Sequence, residues 1–149
     1  DGRKHPLVEN APGYFMGATL FDHVTSAMRI YQDEIFGPVL CVVRVDDFDQ
    51  AVELINAHQY GNGTCLFTRA GEAARRFTDE VEVGMVGINV PLPVPVAFHS
   101  FGGWKESLFG DLHAYGPDAV RFYTRRKAIS QRWPTESAQE SAQFSFPSN

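Results

Sequence analysis

The chain has 149 residues, 44% apolar and 21% charged, with a formal net charge of −5. That composition predicts one globular domain with a real core, and the acidic balance argues against a nucleic-acid surface as its main role. Apolar runs are too short to cross a bilayer, and no basic stretch leading into an apolar one opens the sequence, so no secretory signal is visible.

Residues 13–24 alternate loosely and are rich in Tyr, Phe, Thr and Val, which predicts one or two strands. Residues 25–30 read as a short helical turn. It leads into residues 32–39, Gln-Asp-Glu-Ile-Phe-Gly-Pro-Val. Glu34 and Phe36 stand two apart there, so an extended backbone projects both from one face. A carboxylate placed that way accepts hydrogen bonds from a diol while the ring lies beside a flat group. The plain alternative is a loop with one solvated acid and one core phenylalanine. Residues 39–45 form a continuous apolar run, the pattern of a strand covered on both faces.

A helix follows. Asp47 is a good N-cap and Gln50 stands three residues on, an aspartate form of the capping box. Phe48, Ala51, Val52 and Ile55 mark one face. His58 falls in the last turn, and Gly61 is suited to a left-handed stop. Residues 63–68 form the next strand. Residues 71–81 form a second helix with Ala73, Ala74, Phe77 and Val81 inward and Glu72 at its positive end. Residues 85–90 form a third strand. The order β-α-β-α-β predicts an α/β fold with parallel strands joined by right-handed crossovers.

The chain then changes character. Pro91, Pro93 and Pro95 cannot donate to a central ladder, so this stretch is a connector or an edge. A turn at residues 100–105, a short helix near 118–123 and a β-like run over 127–133 complete the order. Residues 135–149 are rich in Ser, Gln and Glu and read as a frayed tail. No internal repeat is apparent. Cys41 and Cys65 sit inside predicted strands without an adjacent base, so both read as packing residues in a reducing compartment. His99 has no identifiable partner. Arg121, Arg125, Arg126, Lys127 and Arg132 read as the solvated face of a strand at a subunit contact. The opening Asp1-Gly2-Arg3-Lys4-His5-Pro6 reads as the middle of a polypeptide, so a C-terminal piece of a larger protein is expected.

Four motifs occur in order. They are Glu-Ile-Phe-Gly-Pro-Val at 34–39, Tyr-Gly-Asn-Gly-Thr at 60–64, Gly-Met-Val-Gly-Ile-Asn at 84–89 and Phe-Gly-Gly-Trp-Lys-Glu-Ser at 101–107. Together they resemble the aldehyde dehydrogenase superfamily over residues 13–134. Where most members continue the last motif with Gly and then Arg-Glu, this chain reads Leu-Phe-Gly-Asp-Leu-His at 108–113. That departure and the proline-rich stretch through Ser100 resemble the CoA-acylating branch acting on malonate and methylmalonate semialdehydes. Residues 131–134, Gln-Arg-Trp-Pro, are similar to that branch's terminal strand.

The resemblance implies a parallel β-α-β-α-β core of an aldehyde dehydrogenase-like catalytic domain, plus a C-terminal β arm for oligomerisation. Residues 1–96 would be the C-terminal part of the catalytic domain. Residues 97–134 would hold an active-site loop, a short helix and the oligomerisation strand, and 135–149 a flexible tail. It implies NAD as cofactor, with Glu34 on its ribose and Phe36 beside the nicotinamide. Phe101 and Gly102 would line the substrate wall. The implied partners are a small aldehyde, coenzyme A and further copies of the chain in a dimer or tetramer, with no nucleic acid and no membrane. The implied compartment is the cytoplasm, or the mitochondrial matrix in a eukaryote. The implied reaction joins a cysteine thiolate to the aldehyde, moves hydride to NAD and passes the acyl group to CoA, with loss of carbon dioxide. That nucleophile belongs to a segment upstream of these residues, so the chain alone is expected to be inactive. Two other readings stay open: a dehydrogenase that hydrolyses its thioester, and a non-enzymatic module that associates through its terminal strand.

Overall fold

The computed structural model describes residues 1–131 and 133. A short helix, α1 (Pro6–Glu9), precedes the first strand. Strands β1 (Thr19–Phe21) and β2 (Val39–Cys41) pair in parallel, Thr19 opposite Val39 and Phe21 opposite Cys41, with helix α2 (Arg29–Gln32) between them in sequence. Beyond the ladder, the Arg44 guanidinium donates to the Asp22 carboxylate through Nε and Nη2, at 2.9 and 2.7 Å. Those hydrogen bonds, helped by the His23 backbone N–H, hold the Asp22 carboxyl at about 2, below its ordinary 3.8.

Helix α3 (Phe48–Ala57) begins as its sequence dictates, with the Asp47 carboxylate accepting from the Gln50 backbone N–H at 2.9 Å. The Gln50 side chain returns to the N–H of Asp46 rather than of Asp47, at 3.3 Å. The helix does not end in a left-handed glycine. His58 leaves it in an extended conformation, and Gly61 belongs to strand β3 (Tyr60–Gly61), which pairs antiparallel with β6 (Trp104–Lys105). Gly61 is needed for close approach: a Cβ there would lie 2.9 Å from the Glu82 carbonyl oxygen.

Strand β4 (Gly63–Leu66), helix α4 (Gly71–Glu80) and strand β5 (Met85–Ile88) form a parallel unit with Gly63 opposite Met85 and Leu66 opposite Ile88. The ladder ends on a side chain. Asn89, at φ 55°, donates its amide to the Thr68 carbonyl at 3.0 Å and accepts from the Thr68 N–H at 2.9 Å. Val52, Phe77, Val81 and Val83 make the core between α3 and α4, with Phe48, Ile55, Leu66, Val86 and Ile88 packed around it. Phe77 meets Phe48 edge to face at 6.2 Å. Arg76 lies over the Phe48 ring at 4.8 Å and pairs with Asp49 and Glu80, each at 2.8 Å. Asn56 ties α3 to the end of α4, donating to the Glu80 carbonyl at 2.8 Å and accepting from the Glu82 N–H at 2.7 Å.

Three further expectations, on the sheet and the core, are corrected. The strands do not join one β-α-β-α-β sheet: among the described residues they form three two-stranded sheets, and β2 has no ladder with β4. Strand β2 is not covered on both faces: Val39 and Cys41 are half-buried on the side of α2, while Leu40 is 60% exposed. Nor do the described residues close a core of the size the composition predicts. The buried apolar side chains among the described residues are Val24, Val52, Phe77, Val81 and Val83. The exposed area is 12787 Å², against roughly 7,600 Å² for a compact monomer of this mass.

Helix α5 (Asp118–Tyr123) matches its expectation. Residues 127–131 form no ladder among the described residues, and Ile129 and Trp133 are exposed. Arg132 and the expected tail at 135–149 lie outside the described residues.

Candidate functional site

Glu34 follows α2 by way of Asp33, which is extended at φ −81° and ψ 135°. It is exposed, and none of the ion pairs among the described residues involves it. Its side chain lines an open cleft of about 320 Å³ with Tyr60, Asn62, Glu106, Ser107 and Phe109. The structure thus brings Glu34 together with two later motifs, the Tyr-Gly-Asn turn and the Lys-Glu-Ser end of the glycine loop.

The other three sequence-derived site residues do not line that cleft. Phe36 is 92% exposed. Phe101 is half-buried and stacks on Tyr115 with ring centres 5.0 Å apart and planes 11° from parallel. Gly102 is held against His113: a Cβ would sit 2.6 Å from His113 Cδ2 and 2.9 Å from Nε2. Glycine is therefore required there for close approach. His113 Nε2 is buried and has no hydrogen-bond partner among the described residues.

A network of main-chain contacts holds the cleft's walls. The Gly61 N–H donates to Ser107 Oγ at 3.2 Å, and the Glu106 N–H donates to the Gln59 carbonyl at 3.2 Å. On the other side, Gln59 Nε2 donates to the Gln32 carbonyl at 3.2 Å. His58 Nδ1 accepts from the Tyr60 N–H at 3.1 Å, so its Nε2 carries the proton and donates to the Tyr31 carbonyl at 3.1 Å. The Tyr31 hydroxyl donates to the Leu54 carbonyl at 3.3 Å, and burial raises its pKa.

Phe109 and four residues of the Tyr-Gly-Asn and Lys-Glu-Ser motifs, Tyr60, Asn62, Glu106 and Ser107, are cleft residues that sequence reasoning left without a role. Both motifs were visible, but the β3–β6 pairing that joins them spans more than 40 residues of chain and leaves no local pattern. Cys41 and Cys65 do not line the cleft. Cys41 Sγ lies 3.7 Å from the Ile30 carbonyl, and Cys65 Sγ would lie 3.0 Å from a Cβ on Gly87. Both are half-buried packing groups inside their strands or at a strand's end.

An α/β chain carrying these motifs in this order belongs to the aldehyde dehydrogenase family, whose pattern it matches over residues 1–129. Malonate-semialdehyde dehydrogenase of Pseudomonas aeruginosa is 69% identical across 99% of this chain and 30% of its own length. The solved methylmalonate-semialdehyde dehydrogenase of Oceanimonas doudoroffii is 68% identical, with a TM-score of 0.81 over 94% of this chain and 29% of that one. A candidate methylmalonate-semialdehyde dehydrogenase of Sinorhizobium meliloti 1021, complexed with NAD, is 53% identical, with a TM-score of 0.80 over 91% of this chain and 28% of that one. The chain therefore spans about 30% of the length of the curated relative it matches.

Proposed function

We propose that this chain is part of an NAD-dependent, CoA-acylating dehydrogenase of malonate and methylmalonate semialdehyde. The single observation that carries the reading is the 69% identity, over 99% of the chain, with a malonate-semialdehyde dehydrogenase. The cleft fits the cofactor, because an exposed carboxylate outside the ion pairs of the described residues keeps its lone pairs for a ribose diol. Bound NAD supplies the hydride acceptor.

The chain's own residues then have separate tasks. Glu34 accepts from the two ribose hydroxyls and fixes the cofactor's rotation. Phe36 offers a ring face to the nicotinamide. Phe101, braced by Tyr115, and Gly102, pressed on His113, form part of the wall beside the aldehyde. Positioning of this kind is where much of the rate arises, since a displacement of about 1 Å costs on the order of a hundredfold. The thiolate nucleophile comes from elsewhere in the parent polypeptide, since neither Cys41 nor Cys65 reaches the cleft.

In this reading residues 1–96 complete a catalytic domain and residues 97–134 carry the active-site loop and an oligomerisation strand. Exposed Ile129 and Trp133 fit a strand that pairs with a neighbouring subunit. No helix among the described residues is long and apolar enough to cross a membrane. That fits action in the cytoplasm or, in a eukaryote, the mitochondrial matrix.

The test is product analysis on the full-length parent with malonate semialdehyde, NAD and CoA. Acetyl-CoA and carbon dioxide formed in step with NADH are expected, and methylmalonate semialdehyde should give propionyl-CoA. A free acid formed equally fast with and without CoA would identify a hydrolytic enzyme and overturn the acyl-transfer half of the reading. Failure to reduce NAD with either aldehyde would overturn all of it.

A further inference from the structure

Lys105 has an unusual place. It lies on β6 at φ 53°, in the left-handed region, and its side chain is mostly buried although it is a lysine. Backbone of that kind persists in a residue other than glycine where the surroundings over-determine it. Lys105 Nζ donates to the Asn56 carbonyl at 2.6 Å and to the His58 carbonyl at 3.2 Å, while the Glu82 carboxylate stands 3.8 Å away. Asn56 is in the last turn of α3. Had the helix continued, its carbonyl would have met the Tyr60 N–H, but that group is committed to His58 Nδ1. A cation at the negative end of the helix takes its place.

The segment that Lys105 grips is the one that reaches Glu34. His58 donates to the Tyr31 carbonyl and Gln59 to the Gln32 carbonyl. Those carbonyls close α2 just before the Asp33–Glu34 step. The residue after Lys105 binds the same segment from the other side, through the Glu106 N–H on the Gln59 carbonyl. One ammonium thus joins the glycine loop, the end of α3 and the stretch leading to Glu34. We propose that Lys105 is a positioning residue: through the His58–Gln59 segment it sets where the Glu34 carboxylate stands in the cleft. The proposal rests on the reading of Glu34 as the cofactor's ribose ligand.

The test is a double-mutant cycle on the full-length parent, read as kcat/KM for NAD. Lys105→Met and Glu34→Gln are made singly and together. Each single change should lower kcat/KM by roughly tenfold or more, as expected for loss of a charge-assisted hydrogen bond. With Glu34→Gln already present, Lys105→Met should add less than about twofold, because its route to the cofactor is gone. Lys105→Arg, which keeps donors and charge, should recover most of the loss. Should Lys105→Met not fold, Gln59→Met cuts one arm of the same route from an exposed side chain, and the same cycle applies. Losses that multiply independently would mean that Lys105 only stabilises the fold, and the proposal falls while Glu34 keeps its role. A silent Lys105→Met overturns it outright. A silent Glu34→Gln removes the ribose reading itself, and this inference with it.

Discussion

Replacing Gly102 by alanine tests the substrate wall with a known displacement. The new methyl carbon would stand 2.6 Å from His113 Cδ2 and 2.9 Å from Nε2. Carbon atoms in contact prefer about 3.5–4.0 Å, so one side must retreat by about 1 Å. Gly102 is not left-handed, so alanine meets no backbone objection and the clash is the whole perturbation. His113 is half-buried, which limits its retreat. Overpacking of this kind costs about 1–3 kcal/mol. Displacing the loop, and Phe101 with it, should raise the aldehyde KM or lower kcat by roughly ten- to a hundredfold. The KM for NAD should change less than the aldehyde parameters, because Gly102 does not itself line the Glu34 cleft, which the same loop reaches only through Glu106 and Ser107. The assay is steady-state NADH formation by the full-length parent with each substrate varied in turn. A second change gives the control: His113→Ala combined with Gly102→Ala should restore most of the loss, since the obstructing ring is gone. Wild-type aldehyde kinetics in Gly102→Ala, or a double variant no better than the single one, would refute the account.

In the full-length parent, Glu34→Gln keeps the side-chain shape and one acceptor but loses the charge. A loss of about 1.5–3 kcal/mol, roughly ten- to a hundredfold in kcat/KM for NAD, is expected, and unchanged kinetics would reject its role. Asp22 carries a pH signature: its folded pKa of about 2 lies below the ordinary 3.8. The Asp22–Arg44 pair therefore stabilises fully above about pH 4 and is lost as pH falls through the folded value. Thermal unfolding of wild type and Asp22→Asn should differ near neutral pH and converge in acid; a gap that persists in acid would contradict this. The isolated chain should self-associate, because Phe36, Phe109, Ile129 and Trp133 are all open to water. Sedimentation showing a clean monomer at high concentration would count against that.

Helix α3 was legible because its signals are local: Asp47 and Gln50 mark its start, and Phe48, Val52 and Ile55 fall on one face that does pack inward. The same holds for α4, whose Phe77 is 3% exposed at the centre of the core. The α3 stop was misread because Gly61 satisfies a local rule while a lysine more than 40 residues away settles the matter. Sheet continuity was misread for a related reason. An apolar run such as residues 39–45 says that a strand seeks cover, not that this chain supplies it. Spacing and motif single out Glu34 as a candidate, and it lines a cleft, whereas Tyr60 and Ser107 become its neighbours only through the β3–β6 pairing.

The side-chain amide of Asn89 bears on how the molecule meets its own kind. Strand ends with unspent donors and acceptors invite a passing chain to add on, and the product is templated aggregation. Here the Thr68 N–H and carbonyl are both occupied by one residue of the same polypeptide. At Thr68, just past β4, those two groups are already taken and offer an incoming strand no free pair.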